Sequence, residues 1–268
     1  MAIKKGTDSI VKVYRGTTEI TKIYKGTEII YSASPTPQPT LSNKIYGHTR
    51  TASSTITLKV NGTSYNVTSD ADKYFELDCS NITITSLNQC AYNIGQLGDI
   101  TFDIDTSNCT DFSYMCASCA YATSIDCSKI DTSASRNFAA MFYNAQSATI
   151  TPPSAGWQHA SNVWNIQFMF YNCKQITSLD LSTFGYVYTI SNTNGFCNGC
   201  TALETIDFTG LEEFDPSYSQ NLFLSCSALT SINVTGADAT SISTLLSCLS
   251  SSGLSFVQSG DYLVPSNA

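Results

Sequence analysis

From Ala91 to Phe256 the chain repeats itself, and this constrains its fold more than any other feature. Aligning YNCKQITSLDL (Tyr171 to Leu181) with YNIGQLGDITF, SCAYATSIDC, GCTALETIDF, SCSALTSINV and the weaker YNAQSATITPP and SCLSSSGLSF places seven residues in one column. These anchors are Ile94, Cys119, Ala145, Cys173, Cys200, Cys226 and Cys248, spaced 25, 26, 28, 27, 26 and 22 apart. A unit of that length buries no core alone. It has to stack on its neighbours as a solenoid of the leucine-rich type, each unit giving a short strand plus a turn or helical piece.

Neighbouring columns support the alignment. Three residues before each anchor stand Ala91, Cys116, Phe142, Phe170, Cys197, Phe223 and Leu245, all apolar. Six after stand Ile100, Ile125, Thr151, Leu179, Ile206, Ile232 and Leu254, and eight after stand Phe102, Cys127, Pro153, Leu181, Phe208, Val234 and Phe256. Positions six and eight share one face of a strand, the predicted core face. Position seven points outward and reads Thr101, Asp126, Pro152, Asp180, Asp207, Asn233 and Ser255. In the third repeat Thr151-Pro152-Pro153 lacks amide donors, which predicts an irregularity or a longer excursion there.

The eleven cysteines run from Cys79 to Cys248, an odd number that fits a complete disulfide framework poorly. Two CxxC pairs, Cys116/Cys119 and Cys197/Cys200, have zinc-ligand spacing within each pair. Three solenoid rungs separate them, about 14 Å at strand spacing, too far for one ion. Both pairs also fall in core columns, so the reading is buried structural thiols, with no metal and no cofactor.

Ahead of the solenoid, residues 10–31 contain a decapeptide written twice, IVKVYRGTTE and ITKIYKGTEI, followed by a truncated IY. Alternating β-branched and polar residues with Gly-Thr at the turns predict a small β-meander of three strands over residues 1–31, too small to stand alone. Residues 32–43 carry Pro35, Pro37 and Pro39 and form a stiff linker. Residues 44–90 read as a β cap: TITLKV, an Asn61-Gly62 turn, SYNVT, then YFELD and ITITSL. The whole is mostly β, with the solenoid at 91–258 and a tail at 259–268.

Charge separates the two ends. Only 13% of the residues are charged, and the net charge is −8. Residues 1–31 hold six basic and three acidic side chains, so the remainder carries −11. Such a body repels phosphate backbones and excludes a nucleic-acid partner. The N-terminal MAIKKGTDSIVKVY has no apolar run of signal-peptide length, and no stretch reaches the ~18 apolar residues of a membrane helix. Synthesis in a cytoplasm without membrane insertion follows from these absences.

Catalytic signals are sparse. His48 and His159 have no evident acid or thiol partner, and no glycine-rich phosphate loop appears. Asp126, Asp180 and Asp207 share the outward column and could attract a cation, but a solvated face accounts for them more simply. Trp157, Trp164, Tyr186 and Tyr188 lie between repeats, where loops emerge. With Asp180 and Asp207 they form the candidate contact surface, although sealing of the third repeat's core would explain the aromatics equally well.

FMFYNCKQITSLDLSTF, GFCNGCTALETIDFTG and LFLSCSALTSINVTG resemble the BspA-like leucine-rich repeat over about residues 91–258. That resemblance implies surface display and adhesion to protein or glycan. VYRGTTEITKIYKGTEIIY is similar to the short β-repeat heads that open many bacteriophage virion proteins. It implies attachment to capsid or tail proteins through Val13, Tyr14, Ile23, Tyr24, Ile29 and Tyr31. Together the resemblances imply a non-enzymatic fibre or decoration protein on the virion surface, a homo-oligomer with a trimer favoured, contacting a bacterial surface glycan or protein. A bacterial cell-surface adhesin would carry an export signal, and a polysaccharide depolymerase would carry paired carboxylates in a groove.

Overall fold

The computed structural model describes residues 14–15, 18–19, 22–25, 28–32, 41–157, 165–183, 194–211, 214 and 221–266. The chain divides between Thr40 and Leu41 into two compact units. The first holds four short strands, β1 (Tyr14–Arg15), β2 (Thr18–Glu19), β3 (Lys22–Lys25) and β4 (Glu28–Ser32). They form two separate antiparallel hairpins, β1 with β2 and β3 with β4, not the three-stranded meander that the sequence suggested. Each decapeptide folds back on itself: Arg15 pairs with Thr18, and Lys25 with Glu28. Of the predicted attachment residues, Tyr14, Ile23, Tyr24, Ile29 and Tyr31 lie in these strands, and Val13 lies outside the described residues.

The second unit is a β-solenoid with strands at both ends. It opens with β5 (Lys44–Thr49), β6 (Thr55–Val60), β7 (Thr63–Thr68) and β8 (Tyr74–Asp78). The Asn61-Gly62 turn closes the β6–β7 hairpin, with both residues at positive φ as the sequence requires. ITITSL forms no strand; it contributes a bridge from Ser86 to Asp111. Six coil strands follow: β9 (Leu97–Asp103), β10 (Ser124–Asp126), β11 (Thr149–Thr151), β12 (Ser178–Asp180), β13 (Thr205–Asp207) and β14 (Ser231–Asn233).

These strands build two ladders. One runs β11-β10-β9-β5-β8, parallel within the coils and antiparallel where β5 and β8 cover the first coil. Gly47 lets β5 lie this close: a Cβ there would strike the Asp99 carbonyl on β9. The other runs β12-β13-β14-β16-β15. The segment aligned as a seventh repeat is instead helix α1 (Ala239–Ser251) and a hairpin of β15 (Phe256–Ser259) and β16 (Tyr262–Pro265). Asp238 caps α1 by accepting from the Thr240 and Ser241 amides, and Leu245, Cys248 and Leu249 face inward. Strand β16 pairs antiparallel with β14, so the presumed tail closes the last coil. Leu254 and Phe256 are therefore cap residues.

A second wall, made of turns, runs opposite the strands. In each coil alternate amides divide their work. The N–H groups of Phe112, Tyr114, Cys116 and Ser118 donate to Asn137, Ala139, Met141 and Tyr143 of the next coil at 2.6–2.9 Å. Those of Met115 and Ala117 donate back to Phe112 and Tyr114 within their own turn. The amides of this wall are thus used without a strand at each of these positions. The geometry requires a left-handed residue one and five places before each of the first six anchors: Gln89 and Asn93, Tyr114 and Ser118, Ala140 and Asn144, Phe168 and Asn172, Gly195 and Gly199, Asn221 and Ser225. The nearer of each pair is Asn, Ser or Gly, small residues suited to positive φ.

Between the walls lie the predicted core columns. Phe112 stacks on Phe138, and Phe142 on Phe170, with ring centroids 5.8 and 5.6 Å apart. All eleven cysteines are buried and unbridged. The anchor thiols have a further use: Cys119, Cys173, Cys200 and Cys226 donate to the carbonyls of Ala91, Phe142, Phe170 and Cys197 in the preceding coil, at 2.7–3.1 Å. A cysteine at the anchor is small enough for the core and still supplies one hydrogen to the adjacent coil.

Candidate functional site

The two ladders do not join. No strand pairing links β11 to β12, although the turn wall continues across them: Ala140, Phe142 and Asn144 donate to Gln167, Met169 and Tyr171. The solenoid therefore opens as a wedge, closed at the turns and open at the strands. Register explains the break. Ile125 pairs with Ile150, so Pro152 stands where Cys127 stands one coil earlier. The Cys127 amide donates to the Thr151 carbonyl of the following coil. Pro152 has no amide to offer Asp180.

This register also corrects the sequence alignment by one residue in the third repeat. Ile150, not Thr151, takes the core column, and Thr149 and Thr151 face out. The connection from Ala145 to the strand is one residue shorter than in other coils, and a one-residue slip exchanges the two faces.

Trp157 fills the interior of the wedge. Only 2% of its surface is exposed, and its ring meets Phe138, Phe142 and Phe170 edge-on with centroids 5.8–6.4 Å away. It belongs to the core and is withdrawn from the predicted contact surface. The excursion after Pro153 serves to bring this indole back under the gap. Trp164, Tyr186 and Tyr188 lie outside the described residues.

A cavity of about 260 Å³ remains above Trp157. Ile150, Pro152 and Pro153 line one side, Ile176, Leu179 and Phe170 the other, and Ser154, Ser178, Asp180 and Thr183 supply polar groups. In its wall Gly156, at φ 76, lies against Thr183; a Cβ there would overlap the threonine side chain.

The outward acids have a structural task first. Asp126, Asp180 and Asp207 each accept, through Oδ1, the amide two residues on: Ser128, Ser182 and Thr209, at 2.8–3.0 Å. Asn233 does the same for Thr235. These Asx turns bend the chain away from each strand. Asp207 is further occupied, since its Oδ2 accepts from Asn233 Nδ2 at 3.2 Å. Asp180 is exposed and lines both the cavity and the shallow hollow over β12, β13, β14 and Tyr262. The cation reading of this column is replaced by turn formation. Among the described residues no group of three His, Cys, Asp or Glu side chains could hold a metal ion.

Two other clusters were invisible in the sequence. His48, read as partnerless, has Nδ1 3.1 Å from both carboxylate oxygens of Asp99 on β9, beside the Tyr74 ring. Strand pairing of β5 with β9 creates this contact across 51 residues. Asp103, only 4% exposed, accepts from Lys129 Nζ at 2.7 Å and Ser42 Oγ at 2.8 Å. Burial works to raise its carboxyl, but these hydrogen bonds outweigh it and hold the group below the usual carboxylate range. Burial pushes the Cys119 thiol up to about 12 and the Cys173 thiol well above its ordinary value, so these two are poor nucleophiles.

A family model described as "Mycoplasma protein of unknown function, DUF285" matches residues 64–203, just over half of the chain. No curated protein and no solved structure matches it.

Proposed function

The chain belongs to the DUF285 family, and we propose that this member is a structural and binding protein of a bacteriophage particle, anchored by its N-terminus and displaying the solenoid for adhesion. One observation carries the reading. The chain joins two units of opposite charge and different repeat length, ten residues in the first and about 26 in the second, with a division between Thr40 and Leu41. A basic β-repeat head and an acidic solenoid suit two different partners. Other virion proteins take residues 1–31, and a bacterial surface glycan or protein takes the solenoid.

The solenoid itself supports contact more than chemistry. Its thiols are buried, with Cys119, Cys173, Cys200 and Cys226 bonded to carbonyls, and Asp180 and Asp207 each give Oδ1 to a turn. The test is particle incorporation. Full-length protein supplied in trans enters purified particles, and a variant lacking residues 1–43 does not. Incorporation of the truncated variant at the full-length level overturns the anchoring assignment. New reducing ends from host polysaccharide incubated with the purified chain would replace the display reading with a depolymerase.

A further inference from the structure

We infer that the wedge between β11 and β12 is a saccharide site that holds one neutral sugar ring, with Asp180 accepting its hydroxyls. The inference rests on the display reading only for its biological setting; the chemistry is that of the cavity. At about 260 Å³ the cavity is just below the ~300–1,000 Å³ of drug-sized pockets, so one ring with its substituents fills it.

Its two surfaces match the two faces of a sugar. Ile150, Pro152, Pro153, Ile176 and Leu179 present C–H surface, against which the axial hydrogens of a pyranose can pack. The polar groups are hydroxyls of Ser154, Ser178 and Thr183 and the Asp180 carboxylate. Asp180 Oδ1 is taken by the Ser182 amide and hydroxyl, at 3.0 and 2.6 Å. Oδ2 is left to accept from a ligand, and Asp207, in the same turn one coil on, gives its Oδ2 to Asn233 instead. Strand edges add to this: Ser178 and Asp180 alternate with Leu179, so their backbone groups face the gap where β11 would otherwise pair.

The charge pattern selects the ligand. Among the described residues no Lys, Arg or His lines the cavity, so phosphorylated, sulfated or carboxylated sugars meet the Asp180 carboxylate with no described cation to offset it. A neutral sugar offers the hydroxyl donors that a lone carboxylate and three hydroxyls can accept.

The full-length chain can be tested by saturation-transfer NMR with free glucose, galactose, mannose and N-acetylglucosamine. Glucuronic acid serves as the anionic probe and methylammonium as the cationic one. At least one neutral sugar is expected to bind with a Kd of about 1–10 mM. Asp180→Asn is the informative variant, because Asn233 shows that asparagine supports the same turn. It should keep the native melting temperature and weaken binding at least about five-fold. Asp126→Asn makes the same change in a coil whose strand is paired on both sides and should leave binding unchanged.

Absence of transfer to all four neutral sugars at about 50 mM overturns the proposal. So does an Asp180→Asn variant that binds as the native chain does, or stronger binding of methylammonium or glucuronic acid than of any neutral sugar. If sugars fail while the truncated chain still drops out of particles, the cleft assignment alone is wrong. If sugars bind and the truncated chain enters particles, the virion setting alone is wrong.

Discussion

The two ladders use the same coil yet finish differently. Among the described residues the first is covered at its start by β5 and β8 and ends at β11 with no further strand partner; the second begins at β12 with none before it and is covered at its end by β16 and β15. Both outer ends are closed by antiparallel strands, which removes the parallel edge that would otherwise recruit another chain. The inner ends face each other and do not pair. In each coil the turn wall is uninterrupted and the strand wall is the part that can be broken. Turns satisfy their amides partly within the coil, whereas a strand relies wholly on its neighbours. A solenoid can therefore open a cleft on one side without falling into two pieces.

Trp157→Ala tests this coupling most severely. It empties the wedge of an indole that touches rings from both ladders and should destabilise the protein by about 3–5 kcal/mol. Calorimetry should then resolve two transitions, one for each ladder; a single transition would mean that the turn wall alone makes the solenoid cooperative.

Asp103→Asn should act on the first ladder only. Loss of the charged partner of Lys129 and Ser42 lowers stability by about 2 kcal/mol at pH 7. Because the folded carboxyl lies below its ordinary value, its contribution is present above the unfolded pKa of about 3.9 and is lost as the pH falls through the lower folded value. Denaturant titrations of native and variant chains should therefore begin to converge below about pH 4 and meet once the pH is below the folded value. A difference that persists at lower pH would show that packing, not charge, is lost.

Ser225→Val probes the turn wall where no side-chain contact confuses the result. Ser225 is exposed and has φ 64; a β-branched residue there should cost about 1–2 kcal/mol, and glycine should be neutral within about 0.5 kcal/mol. Equal melting temperatures for the valine and glycine variants would remove the left-handed requirement.

Pro152→Thr is the smallest and the most pointed change. It restores an amide opposite Asp180 and should alter stability by less than about 1 kcal/mol, the new hydrogen bond being partly offset by the loss of proline's restraint on the unfolded chain. The amide should be protected from hydrogen exchange, and the cleft should narrow. Rapid exchange at that amide would mean that the excursion through Trp157 holds the ladders apart, and not the missing donor.

Much of this was legible in advance. Residues Ile100, Ile125, Leu179, Ile206 and Ile232 sit inward as their alternation required, because a coil with one wet face leaves little choice of side. Thr151-Pro152-Pro153 marked the irregularity, since the absence of an amide is a covalent fact. Trp157 stayed open between contact and core because an aromatic between repeats looks the same whether it leaves the solenoid or folds back under it; burial decides for the core. His48 was misjudged because its acid lies 51 positions away.

By itself the sequence determined the period, the inward columns outside the third repeat and the place of the break, all of them local consequences of side-chain shape and backbone chemistry. The tertiary structure alone decided that the last repeat becomes a helix and hairpin, that the anchor thiols bond to the preceding coil, and that the break leaves a lined cavity between two ladders. Those depend on which coil edges are left to cover once all the coils have stacked, and no single repeat contains that information.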